Sequence, residues 1–298
     1  MPKKRLGFEW MLLAICCCVA LCFELCAPAG IPSAALSATN TAINASTAAA
    51  PITLPILMYH SLLKNPARAN EYVLSPDVFE ADLVYLQKQG YQTILMRDLI
   101  AYVFDGAALP KKPVMITFDD GHLNNLSYAL PILVKHKATA VLSVVGAFVE
   151  AAERQKDPNP QYAYVTWKDI STLHASGCFE IQNHSYNLHQ TDGRRGITRK
   201  AGEALAQYES MLHTDVMRMQ RALSERAGIT PSTFTYPYGF VDQEGERILR
   251  ELGFCATLSC FERINHITRN PDCLFSLGRY NRPAGISTQR FMKKVLGE

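Results

Sequence analysis

Short apolar runs alternate with longer amphipathic stretches along most of this chain. The runs are rich in β-branched residues and end at glycine, proline or charged residues, which is typical of strands buried in a sheet. We therefore predict strands over residues 52–59, 91–95, 114–118, 138–145, 178–182, 232–236, 254–258 and 274–277.

The amphipathic stretches between these runs repeat apolar residues at helical spacing. The clearest helix start is Ser75-Pro76-Asp77, because serine caps a first turn and proline fits its first position. Pro131 is expected to bend or split the helix that contains it. The predicted helices run from Ser75 to a stop at Gly90, and then over residues 97–104, 123–137, 167–176, 199–226, 243–252 and 288–296.

Strands that alternate with helices indicate a parallel sheet, because each parallel pair needs a crossover connection. Seven or eight such units within about 245 residues favour a closed barrel over an open sheet. The predicted fold class is therefore α/β, a (β/α) barrel of about seven strands. In such barrels the chemistry collects where the strands end.

The first 29 residues have the pattern of a targeting segment rather than of a folded element. Lys3, Lys4 and Arg5 precede an apolar run over residues 10–23, which is short for a membrane span and suits a signal peptide. The small residues that follow favour cleavage after Ala29. An uncleaved membrane anchor is the main alternative.

Lipid attachment at Cys22 or Cys26 is a further alternative, although a bulky leucine precedes each cysteine. Residues 30–50 are rich in Ala, Ser and Thr and almost uncharged, which predicts a solvated linker ahead of a folded domain over residues 51–298. All these interpretations place the domain outside the cytoplasm, secreted or anchored at the cell envelope. The membrane would be contacted only through the N-terminal segment.

Composition, charge and cysteine content narrow the class of protein. Of 298 residues, 48% are hydrophobic and 19% are charged, which is ordinary for a soluble globular domain. The formal net charge is only +3 and no dense Lys/Arg stripe occurs, so nucleic acid is not an expected partner. The four cysteines beyond the N-terminal segment include no C-x-x-C pair, which argues against a cysteine zinc site. A disulfide among Cys255, Cys260 and Cys273 is permitted outside the cytoplasm, but a domain of this size does not need one.

The predicted strand over residues 114–118 ends at Asp119-Asp120-Gly121. Neighbouring side chains on a strand point to opposite faces, so the two carboxylates serve one site only if the turn re-aims one of them. One metal ligand and one base is a plausible division of roles. The alternative is an ordinary Asp-Asp-Gly turn.

Polar groups also follow other predicted strands, at His60, at His184 and at residues 236–239. His184 and His189 are five positions apart, which in a straight helix turns the second ring by roughly 140° from the first. A shared metal therefore requires a turn between them, which Asn187 suits. With Asp120, the two imidazoles would make a site for Zn²⁺ or a similar divalent ion with one position open for water. A lone histidine is more often structural.

Three segments together resemble the polysaccharide deacetylase family with the NodB homology domain, carbohydrate esterase family 4. They are Thr117-Phe118-Asp119-Asp120-Gly121, the segment from His184 to His189, and Tyr236-Pro237-Tyr238-Gly239, in this order. The resemblance spans about residues 55–291 and implies a distorted, NodB-like barrel that removes N- or O-acetyl groups from glycans.

The resemblance also implies roles for particular residues. Asp119 would be the general base, the backbone N–H of Tyr238 would contribute to an oxyanion site, and the metal would be held by Asp120, His184 and His189. His60 could line the sugar pocket, with a packed structural role as the alternative. Further candidates for substrate contact are Tyr236, Pro237 and Arg279.

Elementary chemistry leads to the same requirements. An amide carbonyl is a poor electrophile, so its hydrolysis needs a polarising cation, an acidified water and a donor where the oxyanion develops. A carboxylate beside the cation, such as Asp119, should stay ionised and be available to take a proton.

The sequence departs from the family pattern in three respects. The histidine spacing is five where the family usually has four, a variant similar to exopolysaccharide deacetylases. Thr235 replaces the arginine that often orients the base, which leaves Arg279 as a candidate for that task. The Leu-x-His motif near the C-terminus, which supplies the usual general acid of the family, is absent. Nothing in the sequence around His266 indicates that it replaces that histidine, so the general acid is unassigned.

The predicted function is that of a metal-dependent extracytoplasmic hydrolase, with Zn²⁺ as the expected ion. It would remove N-acetyl groups from an acetylated glycan polymer containing N-acetylglucosamine, either peptidoglycan or an exopolysaccharide. One alternative is an O-acetyl esterase acting on xylan-type chains. Another is a glycan-binding protein that retains the pocket without turnover, and a third is an unrelated barrel with structural histidines.

Overall fold

The computed structural model describes residues 50–297. The predicted signal segment, and the predicted linker up to residue 49, lie outside the described residues. No helix in the described part of the chain is both long enough and apolar enough to cross a bilayer.

The described residues contain twelve strands, most of them short. In chain order they are β1 (Ile52–Leu54), β2 (Ile56–Tyr59), β3 (Ser61–Leu62), β4 (Val73–Leu74), β5 (Gln92–Ile94), β6 (Pro113–Phe118), β7 (Ala140–Val144), β8 (Phe179–Asn183), β9 (Thr233–Thr235), β10 (Ala256–Leu258), β11 (Asn265–Ile267) and β12 (Tyr280–Asn281).

Eight of these strands form one sheet in the order β10-β9-β8-β7-β6-β2-β12, with β5 pairing beside the start of β6. Every pairing within the sheet is parallel. A parallel pair cannot be joined by a tight hairpin, so helices and long connections link the strands. The remaining strands form two small pairs, β1 with β11 and β3 with β4.

The segment from Leu277 to Asn281 brings the two edges of the curled sheet together. Leu277 forms a parallel bridge with Leu258 of β10, while Tyr280 pairs with Leu57 of β2. The backbone N–H of Ser259 also donates to the carbonyl of Leu277 at 2.8 Å. The prediction of an α/β fold built as a distorted barrel is confirmed.

The same residues contain eight α-helices, several of which start at a side-chain cap. Ser75, for example, accepts a hydrogen bond from the N–H of Val78 at 3.3 Å, as the sequence predicts. The helices are α1 (Pro76–Lys88), α2 (Met96–Asp105), α3 (Leu130–His136), α4 (Gly146–Glu153), α5 (Trp167–Ala175), α6 (Leu205–Ala227), α7 (Gln243–Glu251) and α8 (Thr288–Leu296).

Three predicted elements have different bounds in the structure. The helix predicted over residues 123–137 is divided, because a π-helical turn over Asn125–Ala129 precedes α3 and Pro131 lies at its start. The long helix begins at Leu205 rather than Arg199, since the Arg199 guanidinium donates to the carbonyl of Glu203 and holds a loop there. The strand predicted over 274–277 is wrong, because residues 271–274 form a 3₁₀ turn and the strand follows later as β12.

Alternate side chains of β6 face the outer helices and the barrel interior. Val114, Ile116 and Phe118 pack in an outer core with helices α1, α3 and α5. Met115 packs in a separate core with residues of β2, β7 and β10, which identifies it as facing the barrel interior. With the two-residue period of a strand, Asp119 continues this inward-facing row.

Candidate active site

The predicted polar residues gather at the carboxyl ends of neighbouring parallel strands. His60 directly follows β2, Asp119 and Asp120 follow β6, and His184 follows β8. These three strands lie within one stretch of the sheet order, so their ends meet at one rim of the barrel. This rim is the usual position for chemistry in such folds.

The Asp-Asp-Gly turn re-aims the second carboxylate, as a shared site requires. Asp120 has φ 72°, in the left-handed region, and Gly121 follows with φ 79°. A Cβ on Gly121 would come within 3.0 Å of Val144 Cγ1, so glycine also allows the turn to lie close against β7. Aspartate tolerates this backbone conformation better than most residues do. The turn thus separates the inward direction of Asp119 from that of Asp120.

Asp120, His184 and His189 form a tight cluster of potential ligand atoms. One ligand atom from each residue lies within 4.8 Å of the other two. Asp120 Oδ1 is 3.1 Å from His189 Nε2 and 3.6 Å from His184 Nε2. The structure therefore brings together the three residues predicted from the sequence as metal ligands.

The donor set of this cluster fits a divalent cation. The Nδ1 of His184 lies 2.8 Å from the carbonyl oxygen of Thr235, and because a carbonyl only accepts, Nδ1 carries the proton. The lone pair of Nε2 therefore faces Asp120. Burial lowers the pKa of His184 to about 4, so this imidazole is neutral at physiological pH. Asp120 Oδ1 is buried and has no aligned hydrogen-bond donor.

Two acceptor atoms that face each other without a proton between them are the arrangement that a metal ion satisfies. Two imidazole nitrogens and one carboxylate oxygen suit Zn²⁺ or a related divalent ion, with a further position open. Burial alone would raise the pKa of Asp120, but His122 and His189 hold it well below its ordinary value. An ionised carboxylate is the form that binds a cation.

The five-residue spacing of the histidines is accommodated by a turn, although not where the sequence analysis put it. Ser185, rather than Asn187, has the left-handed backbone, with φ 72°. The two imidazole rings are brought to a centroid distance of 5.0 Å. Asp120, Ser185 and Tyr238 are three of the five non-glycine residues with positive φ in the described chain. Each lies in one of the three motifs, which is the usual place for such backbone strain.

Arg279 holds Asp119 in a bidentate ion pair. Its Nη1 lies 2.7 Å from Asp119 Oδ1 and its Nη2 lies 2.8 Å from Oδ2, and the arginine side chain is fully buried. Burial alone would raise the pKa of Asp119, but the charge and hydrogen bonds of Arg279 hold that pKa below its ordinary value. Two roles were considered above for Arg279, substrate contact and orientation of the base. Its geometry fits the second, because it is buried against the Asp119 carboxylate and holds it in place of the missing arginine.

Two other predicted substrate contacts do not reach the site with their side chains. Tyr236 is fully buried and its hydroxyl donates to Glu246 at 3.4 Å, because the side chain points into the core. Pro237 is buried as well. Tyr238 differs from both, since its side chain is 44% exposed and its ring centroid is 4.4 Å from that of His189.

Two further imidazoles flank Asp120. The ring of His60 packs on Tyr72 at a centroid distance of 4.8 Å, and its buried Nδ1 has no hydrogen-bond partner. Burial lowers the pKa of His60, against the charges of Asp119 and Asp120. His122, which the sequence analysis missed, has Nε2 3.6 Å from Asp120 Oδ2. Its position directly after the Asp-Asp-Gly turn was the signal that could have identified it.

Comparisons with known proteins identify relatives of this chain by sequence and by fold. The sequence profile of the polysaccharide deacetylase family matches residues 106–257. The chain is 24% identical over 217 residues to poly-β-1,6-N-acetyl-D-glucosamine N-deacetylase of Escherichia coli K12, which covers 66% of this chain. It spans only 32% of the length of that relative.

Two solved structures share the fold. IcaB from Ammonifex degensii is 28% identical, with a TM-score of 0.64 over 78% of this chain and 92% of its own. The Streptococcus pyogenes deacetylase PplD, solved in complex with acetate, is 22% identical, with a TM-score of 0.68 over 82% of this chain and 99% of its own.

Proposed function

Because this chain belongs to the polysaccharide deacetylase family, we propose that it removes N-acetyl groups from a polymer of β-1,6-linked N-acetylglucosamine. The main support for the proposal is that two groups of residues lie together at one rim of the barrel. An Asp-His-His cluster suited to a cation lies beside a buried carboxylate that an arginine keeps ionised. The choice of polymer rests on the relatives, which are named for N-deacetylation of this glycan.

We assign the cation to Asp120, His184 and His189, with Zn²⁺ as the proposed ion. A divalent cation held there supplies polarisation of the acetyl carbonyl and acidification of a water molecule. Asp119 takes a proton from the attacking water, because its ion pair with Arg279 keeps it ionised in a buried position. The fixed bidentate geometry also prevents the carboxylate from turning away.

Tyr238 supplies its backbone N–H to the developing oxyanion in this scheme. The left-handed conformation of Tyr238, at φ 57° and ψ 9°, turns the peptide at the edge of the cluster. A donor fixed by the backbone needs no reorganisation during the reaction. The leaving amine also requires a proton, and we assign its donor to His122, which flanks Asp120 and is outside the ligand set. His60 is less suited to this task, because burial lowers its pKa and keeps the imidazole neutral.

Peptidoglycan and O-acetylated xylan are alternative substrates. The non-enzymatic alternative is a protein that binds glycans without hydrolysing them. The buried Asp119–Arg279 pair favours turnover over simple binding. A buried ion pair is seldom worth more than apolar residues of the same size, so its presence beside a cluster suited to a cation favours a chemical task. We also propose that the domain acts outside the cytoplasm, on the basis of the pattern in the first 29 residues.

Acetate release from β-1,6-linked N-acetylglucosamine oligomers, peptidoglycan fragments and acetylated xylan separates the candidate substrates. We expect the first to be preferred, and we expect Asp119→Asn to lower its turnover by about 10²- to 10⁴-fold, the usual contribution of a general base. Bound Zn²⁺ should remain at the wild-type level, because the three ligand residues are intact.

Asp98→Asn provides a control for this experiment. Asp98 accepts a hydrogen bond from the N–H of Leu95 at 2.9 Å at the start of α2, and it makes no part of the proposed site. Its replacement should leave acetate release unchanged. Wild-type protein that binds the oligomers but releases no acetate would refute the proposed activity in favour of the glycan-binding alternative.

A further inference from the structure

In the segment from His184 to His189, here called the imidazole loop, two backbone N–H groups donate to nearby side chains. The N–H of Ser185 donates to Asn183 Oδ1 at 2.8 Å, and the N–H of Leu188 donates to Ser185 Oγ at 3.1 Å. These contacts close the turn that follows β8. They do not fix how the loop sits relative to Asp120, which lies on a different strand end.

Helix α6 supplies a carboxylate to the middle of this loop. Asp215 Oδ1 accepts from the N–H of Tyr186 and Oδ2 accepts from the N–H of Asn187, both at 2.8 Å. A carboxylate that receives two consecutive backbone N–H groups fixes both the position and the direction of the peptide between them. The two bonded residues lie between the two imidazoles in the sequence.

Arg218, three residues further along α6, contacts the same loop. Its guanidinium lies 3.7 Å above the ring of Tyr186 and also donates to the Tyr186 hydroxyl at 2.9 Å. Residues three apart on a helix occupy one face, so Asp215 and Arg218 reach the loop together. Asp215 binds the backbone of Tyr186, and Arg218 binds its side chain.

The opposite side of the loop is held by the start of α4. The N–H of Gly146 donates to the carbonyl of Ser185 at 3.1 Å, and the N–H of Ala147 donates to the carbonyl of Tyr186 at 2.7 Å. Gly146 also leaves room for the tyrosine ring, because a Cβ there would lie 2.5 Å from Tyr186 Cδ2. The loop is therefore fixed from two sides, and α6 supplies the charged contacts.

We propose that Asp215 and Arg218 are positioning residues that set the distance between the two imidazoles and so the affinity for the cation. The inference rests on the proposed function only for the assignment of the cation to Asp120, His184 and His189. Residues that orient metal ligands typically change metal affinity about 10- to 100-fold when replaced. Four residues separate the two imidazoles in the sequence, and the carboxylate on α6 immobilises the backbone of two of them, Tyr186 and Asn187.

The experiment measures Zn²⁺ binding by calorimetry to protein first stripped with a chelator. We expect Asp215→Asn to raise the dissociation constant about 10- to 100-fold, because asparagine offers one acceptor and directs its amide N–H₂ at the second backbone N–H. Arg218→Gln should raise it less, since the backbone contacts remain. At saturating Zn²⁺ the turnover of both variants should return towards the wild-type value, because the ligands and Asp119 are unchanged.

Asp242→Asn is the matched control. Asp242 also accepts two backbone N–H groups, from Gly245 at 3.0 Å and from Arg199 at 3.1 Å, but it joins segments that carry no ligand. Its replacement should leave Zn²⁺ affinity unchanged while perturbing stability to a similar degree. Thermal melting of the stripped proteins, compared across the variants, shows whether a loss of affinity merely follows a loss of fold.

The outcomes distinguish this inference from the proposed function. If Asp215→Asn binds Zn²⁺ with the wild-type affinity and the protein releases acetate, the positioning role is refuted and the proposed activity is not. If Asp215→Asn does not fold, an unchanged dissociation constant in Arg218→Gln overturns it instead. If both variants bind Zn²⁺ more weakly than the wild type, but the wild type releases no acetate, the positioning role is supported and the activity is refuted. Wild-type protein that binds no Zn²⁺ refutes both.

Discussion

Replacing Asp120 with asparagine is expected to abolish tight cation binding and acetate release together. Asparagine tolerates the left-handed backbone of this position, so the turn should persist while the charge is lost. Asp120 Oδ1 lies 3.1 Å from His189 Nε2 and 3.6 Å from His184 Nε2, and Asp120 is the only negatively charged ligand of the proposed set.

The expected size of the effect follows from what the cation contributes. A polarising metal ion supplies several kcal/mol of transition-state stabilisation, and each ~1.4 kcal/mol is a factor of ten in rate. Turnover should therefore fall by about 10³-fold or more. Metal content by mass spectrometry and acetate release, measured on the same preparations, check this result. Asp120→Asn protein that retains one equivalent of Zn²⁺ and near-wild-type turnover would show that the cluster is not the metal site.

Replacing Arg279 with methionine is expected to destabilise the fold and to inactivate the site at once. The substitution leaves Asp119 buried without its partner, and breaking a buried ion pair in this way costs about 3–5 kcal/mol. Without Arg279, the largest influence that opposes burial is lost, and the pKa of Asp119 rises. The carboxylate would then be protonated at higher pH and lost as a base.

The pH dependence of the unfolding free energy tests the Asp119–Arg279 pair more specifically. In the wild type the folded-state pKa of Asp119 is depressed, so its contribution to stability is present above the unfolded value of about 3.9 and is lost as pH falls through the folded pKa. In Arg279→Met the pKa is raised, so stability falls as pH rises. The gap in unfolding free energy between the two proteins should therefore narrow towards acidic pH.

Denaturant unfolding across this pH range measures that gap. The double variant Asp119→Asn/Arg279→Met should recover much of the lost stability, because it removes both charges, but it should recover no activity. A gap that is constant with pH would contradict the role assigned to the ion pair. Recovery of activity in the double variant would exclude Asp119 as the base.

Residues on long strands could be placed from the sequence pattern alone, whereas contacts between distant segments could be expected only from the family resemblance. β6 is buried along its whole length, so its apolar run is unmistakable. Its two-residue period correctly indicates that the turn has to re-aim one of the two carboxylates. Asp119 and Arg279 are separated by 160 positions, and nothing local indicates that they meet. β12 has only two residues, which is too short to show a period.

The errors elsewhere have similar local causes. Helix α4 was missed because Gly146 opens it with apolar residues that continue the character of the preceding strand. Tyr236 was assigned to the substrate because it lies in a motif, but a motif does not reveal which side chain points into the core. Ser185 takes the turn expected of Asn187 because Asn183 and Leu188 provide its hydrogen bonds.

The most direct test of the central claim is acetate release from a β-1,6-linked N-acetylglucosamine oligomer by chelator-stripped protein as Zn²⁺ is added back. We predict no release from the stripped protein and a linear gain that ends at one equivalent of Zn²⁺ per chain, as expected for a single Asp-His-His site. Acetate release that survives complete removal of the metal, or Zn²⁺ bound at one equivalent without any release, would contradict the claim.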